Sequence, residues 1–305
     1  PGSRPFDLAR AHSVFGQRPP DLRKTMSRFK SFAALAAVSA LALSACGADD
    51  KASFKAPKKN SDGTVTITVG ASPVPHAQIL NYVQDNLAKK AGLKVEIKQY
   101  QDYIQPNSAL DQGEIDANFF QHVPYLEDAS KKNGYSFEHG KGVHIEPLGI
   151  YSKKIKDLKD LPDNATIAIN DDPSNQARAL ELLVKNKIIT LKKKDSPTIY
   201  DVESNPKKIQ LKPYAAPSIP AALPDVDIAI INGNYALKNK LTPSKDALYL
   251  ESGKDNPYAN VLVWNSKANE KTIEAVKKLD KLLHSKEVSD YIKKTWPDGA
   301  VSPSF

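Results

Sequence analysis

The chain is predicted to be an α/β protein of two lobes with a cleft between them. Short alternating or apolar runs recur along residues 64–264, and most are followed by a stretch with helical period. The order β-α-β-α-β-α in the first half, with a second α/β set behind it, argues open sheets containing parallel strands. Residues 145–151, with Pro147 and Gly149, form an extended crossing between the two sets. Lobes joined by such crossings enclose a cleft, and open α/β sheets take ligands at their strand ends.

In the first set, Thr64-Val65-Thr66-Ile67-Thr68-Val69-Gly70 alternates β-branched and polar residues and reads as a strand. A helix follows from Pro73, with Ile79, Leu80, Val83 and Leu87 on one face, and Gly92 ends it. Residues 94–100 are a second alternating strand. A helix from Pro106 through Leu110, a short strand at 116–120 and a helix at 125–132 complete the set. The second set holds a buried strand at 166–170 and a helix that Asp172-Pro173-Ser174 caps and that runs to Leu183. Next come a strand at 208–211, a helical turn at 219–223, a buried strand at 227–231 and a short helix at 234–238. A strand at 260–264 and helices at 270–283 and 286–294 close the chain. The expected boundaries are 64–146 for the first lobe, 147–248 for the second, and 249–305 as a return segment completing the first.

Ahead of these elements, Met26, the sole methionine, opens a basic segment with Arg28 and Lys30. An apolar run from Ser31 follows, and Leu43-Ser44-Ala45 precedes Cys46, the sole cysteine. Basic, apolar, then small residues is the layout of a secretory leader. The run is shorter than the roughly 20 residues that a bilayer crossing needs. A cysteine at the cut resembles the lipobox of bacterial lipoproteins, which implies lipid on Cys46 and a mature protein tethered at the extracytoplasmic face of the cell membrane. Residues 1–25 are read as upstream or disordered sequence, 26–45 as the leader and 46–63 as a flexible tether of unpacked polar composition.

The formal charge is +8, but the lysines are dispersed or sit on helix faces, without a basic patch interleaved with aromatic rings. Nucleic acid is therefore not an expected partner. With one cysteine, assigned to the anchor, no disulfide or thiolate metal site is expected. No cofactor and no metal are expected either. Neither Gly-x-Ser-x-Gly nor His-Glu-x-x-His occurs, and the six histidines are mostly scattered. A binding protein is thus preferred over an envelope hydrolase, which stays as the alternative. An adhesin or structural lipoprotein is a third reading, which predicts no small ligand.

Two segments could carry binding. On the strand that contains them, Asn118, Phe120 and His122 are expected on one side, Phe119 and Gln121 on the other. Asn170 to Leu180 joins a strand end to a helix N-terminus, with Asn175 and Arg178 in the first turns. Helix N-termini attract anions, and a guanidinium can grip a carboxylate with two parallel bonds. A core histidine and a surface ion pair are the unremarkable readings of the same residues.

The run Asp-Ala-Asn-Phe-Phe-Gln-His-Val-Pro-Tyr-Leu at 116–126 resembles the methionine-binding lipoprotein family of NlpA type. So do residues 71–80, 103–107, 147–152, 170–180 and 231–236, in matching order over the whole mature domain. The resemblance implies the two-lobed, type II periplasmic-binding-protein fold and a non-enzymatic role. It implies capture of methionine or a close analogue for the permease and ATPase subunits of an ABC importer. Carried over, Arg178 pairs with the amino-acid carboxylate, and Asn232 meets the α-amino group or the carboxylate. Tyr103, Phe119 or Phe120, His122 and Tyr125 wall the thioether, and Asn118 and Asn175 are further polar contacts. Asn232 is preferred to Asn234 because it directly follows its strand.

Overall fold

The structure, a computed structural model, describes residues 54–305. The leader, Cys46, the first 25 residues and the tether as far as residue 53 lie outside it.

The first strands are β1 (Lys58–Lys59), β2 (Val65–Ala71), β3 (Leu93–Gln99), β4 (Ala117–His122) and β5 (Phe137–Ile145). A helical run over 73–91, with α1 (Gln78–Val83) at its centre, links β2 to β3, and Gly92 ends it at φ 73°. Helix α2 (Gln105–Asp111) precedes β4 and α3 (Val123–Asn133) follows it. The chain then crosses to β6 (Gly149–Tyr151), β7 (Thr166–Asn170), α4 (Pro173–Lys185), β8 (Thr190–Leu191), β9 (Val202–Ser204) and β10 (Gln210–Tyr214). After these come α5 (Ile219–Ala222), β11 (Ile228–Ile231), α6 (Gly233–Lys238), α7 (Pro243–Asp246) and β12 (Ala247–Leu250). It crosses back to β13 (Asn260–Asn265), α8 (Glu270–Leu283), α9 (Lys286–Thr295) and β14 (Ser302–Pro303).

Two main sheets result. One has the order β1-β2-β4-β13-β5-β14, with β3 also on β2; the other has β10-β7-β11-β6-β12. Both are mixed. β2 runs parallel to β3 and β4, but β13 is antiparallel to β4 and β5. In the second sheet β7 is parallel to β10 and β11, while β6 is antiparallel to β11 and β12. The chain passes between the sheets twice, at 146–148 and 251–259.

The central strands β4, β11 and β13 are buried along their whole length, as expected where both faces of a sheet are covered. Ile67, Val69, Ile79, Leu80 and Val83 meet Val276, Leu279 and Leu283 in the largest core cluster. Each such side chain contributes about 1.5–3 kcal/mol by leaving water. The second lobe has its own core, built on Ile167, Ile169, Leu180, Leu183, Ile228 and Ile230.

Three expectations need correction. The tether ends earlier than residue 63, because Lys58 and Lys59 pair with Thr66 and Val65. β4 meets β2 only at residues 69–71, so β1 supplies partners to the backbone that β4 does not reach. Strand β5 was not read at all, and Gly140 explains its place. A Cβ there would lie 2.0 Å from Asp280 Oδ1 on α8, so any other residue would need the Asp280 carboxylate to turn aside. The alternation expected along β4 also fails. The register against β13 shifts between Gln121 and Phe119, which leaves Phe120 as an extra residue in a bulge.

Candidate functional site

β4 ends at the cleft, and its bulge decides which side chains arrive there. Phe120 and His122 line a cavity between the lobes with an empty space of about 360 Å3. Gln121, carried by the bulge onto the side of Asn118, joins a buried amide cluster. Its Nε2 donates to Asn107 Oδ1 at 2.7 Å and to Asn118 Oδ1 at 2.9 Å. Asn118 donates to Asn107 and to the Pro106 carbonyl, so it braces α2 against the strand and is not in the cavity wall. Phe119 is absent from the wall too. It is fully buried in the first core, edge-on to the rings of His76 at 4.9 Å and His144 at 5.3 Å. Both residues were expected at the ligand, and the fold uses them one layer behind it.

Tyr103 and Tyr125 complete the aromatic side with Phe120 and His122. Tyr125 Oη donates to the Tyr103 carbonyl at 2.9 Å, and the rings of Tyr103 and Phe120 lie 6.0 Å apart. Tyr103 Oη reaches across the cleft to Asn234 Oδ1 at 2.6 Å. His122 accepts from the Tyr125 N–H at its Nδ1, so its Nε2 carries the hydrogen and faces Asn175 Oδ1 at 3.2 Å. Burial first, and then the Arg178 charge, push His122 down to about 3, which leaves it neutral.

From the second lobe, the turn after β7 opens α4. Asp172 caps the helix by accepting from the Asn175 N–H at 2.9 Å. Burial pushes the Asp172 carboxyl up to about 6. Asn170, Asn232 and Asn175 form a chain: Asn170 Nδ2 donates to Asn232 Oδ1 at 2.9 Å, and Asn232 Nδ2 to Asn175 Oδ1 at 2.9 Å. Asn232 is the N-cap of α6, and both it and Asn234 line the cavity.

Arg178 also lines the cavity and is 4 % exposed. Its Nε donates to Glu251 Oε1 at 3.0 Å, its Nη2 to Glu251 Oε2, and Nη2 also to the Glu146 carbonyl at 3.1 Å. The ring of Tyr258 lies 4.1 Å from the guanidinium carbon. Arg178 therefore grips a carboxylate with two parallel bonds, as its chemistry allows, but that carboxylate is Glu251 of the second crossing. Burial works to raise Glu251, yet the Arg178 bonds and charge hold it below the ordinary carboxylate range. Those bonds leave Nη1 as the edge of the fork for a further anion.

Several wall residues were missed. Glu146 stands at the first crossing, 6 % exposed, and brings an anionic group into the cavity. His144 Nε2 lies 2.8 Å and His76 Nε2 3.3 Å from Glu146 Oε1. The histidines are not scattered here, and His144 does have its carboxylate. The donor atoms of the three residues lie within 4.8 Å of one another. His144 Nε2 is hydrogen-bonded to Glu146 Oε1, while His76 Nε2, bonded to Asn260 Oδ1, comes close to the same carboxylate oxygen. Gly233 lets α6 approach: a Cβ there would lie 2.7 Å from Glu146 Cβ. The His144/Glu146 spacing of i, i+2 on a strand was the one sequence signal available for the pair.

An inter-lobe cavity with one buried cation, one buried carboxylate and an aromatic wall defines a solute-binding protein of the two-lobed type. A family model described as NlpA lipoprotein matches residues 67–305. The methionine-binding lipoprotein MetQ of Bacillus subtilis is 40% identical over 277 residues, covering 88% of this chain and 96% of that one. The D-methionine-binding lipoprotein MetQ of Escherichia coli K12 is 39% identical over 279 residues, 90% of this chain and 98% of that one. Among solved structures, a lipoprotein of Actinomyces odontolyticus superposes with a TM-score of 0.76 at 50% identity, covering 79% of this chain and 99% of that one. A nutrient-binding protein of Burkholderia cenocepacia bound to methionine gives 0.74 at 43% identity, with 78% and 100% covered. The chain belongs to the NlpA lipoprotein family. Its fold is the bilobed, type II periplasmic-binding-protein fold.

Proposed function

We propose that this protein captures methionine outside the cytoplasm and delivers it to the permease and ATPase subunits of an ABC importer, held at the membrane by lipid on Cys46. The observation that carries the reading is the pairing, in one cavity between the lobes, of Arg178 and Glu146 with an aromatic wall of Tyr103, Phe120, His122 and Tyr125. A zwitterion with an apolar tail needs those three things together. Glu146 takes the ammonium and Arg178, through Nη1, the carboxylate. Asn232 and Asn175 add polar contacts, and the aromatic rings face a thioether, worth about 0.3–1.5 kcal/mol per contact. The relatives' names as methionine-binding lipoproteins support the ligand class. Lipid on Cys46 predicts an N-terminus there in the intact mass of membrane-extracted protein; an unmodified cysteine rejects that part.

Methionine at 100 times its dissociation constant should stabilise the fold by about 2.7 kcal/mol through mass action. Thermal melting with and without methionine reads this directly, after denaturation and refolding to remove retained ligand. An unchanged melting temperature at saturating methionine rejects the ligand. The hinges of such closure are the two crossings, residues 146–148 and 251–259, which small-angle scattering tests through a more compact bound state.

Phe120→Ala should weaken methionine more than alanine or glycine, because the space it leaves lies against the ligand's tail. A loss of about 1–3 kcal/mol, selective for methionine, is expected in titration calorimetry. A uniform loss across the amino-acid panel would show a folding defect instead.

A further inference from the structure

Glu146 is the one member of the charged pair that stands on a crossing between the lobes, and its surroundings are unusual. His144 and His76 both direct Nε2 at the same oxygen, Oε1. His76 Nε2 also lies 3.0 Å from Asn260 Oδ1, so two oxygen acceptors converge on that nitrogen and it carries the hydrogen. Both histidines are at most 1 % exposed. Among the described residues their Nδ1 atoms have no hydrogen-bond partner, as suits bare acceptors of neutral rings. Phe119 packs edge-on against both rings and fixes their planes. Glu146 Oε2 lies on the other side, where a Cβ on Gly233 of the cavity wall would sit 3.3 Å away.

We propose that His144 is a positioning residue for ligand capture: as a neutral N–H donor on one oxygen of Glu146, with His76 packed beside it, it keeps the carboxylate ionised and leaves the other oxygen for the ligand's ammonium. This rests on the reading of Glu146 given above. Burial alone would drive Glu146 toward its neutral acid, which accepts an ammonium poorly. Burial pushes His76 to about 4 and His144 to about 3, so near neutral pH they donate hydrogen bonds without adding charge. A charged histidine in their place would itself satisfy Glu146 and compete with the ammonium. The other groups facing Glu146 are Arg178 from α4, which bonds its carbonyl, the Asn234 N–H from α6, and Tyr103 from the lip before α2. Burial raises Glu146, while the Arg178 charge and the Asn234 N–H act against that rise.

The test compares wild type with His144→Leu, which keeps apolar bulk but no donor, and His144→Gln, which keeps an N–H. Affinity for methionine and for its deamino analogue is measured by calorimetry from pH 5 to 8. His144→Leu should bind methionine about 10-fold or more weakly at neutral pH, with the deamino analogue little changed. The acid limb of methionine binding should move up by about one pH unit, since Glu146 then protonates more readily. His144→Gln should restore most of the preference. A wild-type preference for methionine retained in His144→Leu, or equal losses for both ligands with no movement of the acid limb, overturns the proposal alone. A wild type indifferent to the amine rejects the role of Glu146 and this proposal together. If His144→Leu does not fold, His144→Met, which likewise lacks a donor, is read by the same ratio.

Discussion

Arg178→Ala should cost both affinity and stability. The residue is buried, bonded twice to Glu251 and once to the Glu146 carbonyl, so its removal strands a carboxylate that is 14 % exposed. Breaking a buried pair by deleting one partner typically costs about 3–5 kcal/mol. In a chain of this size that corresponds to a fall of roughly 6–20 °C in melting temperature. Methionine affinity should drop by a further 2–5 kcal/mol, about 30-fold or more, if Nη1 meets the ligand carboxylate. The sequence alone suggested a cleft residue whose loss leaves folding intact, and the partner on the second crossing changes that expectation. The stability loss has a pH signature. Glu251 is held below its ordinary value in the folded state. Its contribution is therefore complete above the unfolded carboxylate value of about 4.3 and is lost as the pH falls through the folded one. The gap in melting temperature between wild type and variant should be widest near neutral pH and should close below about pH 4. A gap that stays constant across that range would show that the ion pair is not its source.

Asn232→Ala is the second large effect. Asn232 joins Asn170 to Asn175 and, through Asn175, to His122 of the other lobe. Asn170 is fully buried and its Oδ1 already has no partner, so losing Asn232 strips its remaining side-chain bond to a neighbouring amide. A buried amide left without a partner costs about 1–3 kcal/mol. Asn175 keeps His122, so the damage is centred on Asn170. Methionine affinity should fall by about 10-fold or more, because the variant also loses a cavity contact at the N-cap of α6. Denaturant melts and calorimetry on one preparation separate the two losses. A destabilised variant with unchanged affinity would mean that Asn232 serves the asparagine chain alone.

What could be read from sequence was what is local. The strands at Ile67, Ile167, Ile228 and Val261 announce themselves through alternating or apolar runs, and helix α4 through its cap at Asp172. Strand β5 carries Glu138, Gly140, Lys141 and Gly142, which break any alternation; it exists because β13 and β14 pair with it. The bulge at Phe120 could not be seen either, since it arises in the register between β4 and β13. That single extra residue separates Phe120, in the cavity wall, from Asn118 and Phe119 behind it. Arg178 and Tyr103 were legible by type and by the family resemblance. Their partners were not, because Glu251 is 73 residues from Arg178 and Asn234 is 131 from Tyr103. His76 and Glu146 meet across a similar gap, and no spacing rule links them.

The position of β13 also governs how the chain assembles. It lies between β4 and β5, so the first sheet has no centre until residues 260–265 arrive. Every strand of the second sheet falls within residues 149–250, a contiguous stretch. Closing a long loop costs more entropy than closing a short one, and distant pairings form slowly. The second lobe is thus able to condense as a finished insert while the first still waits for its middle strand. The final segment, with β13, α8 and α9, is the keystone of the first lobe. A chain halted before it would carry β4 and β5 as two unpaired edges, the state in which such a protein is most exposed to aggregation and proteolysis.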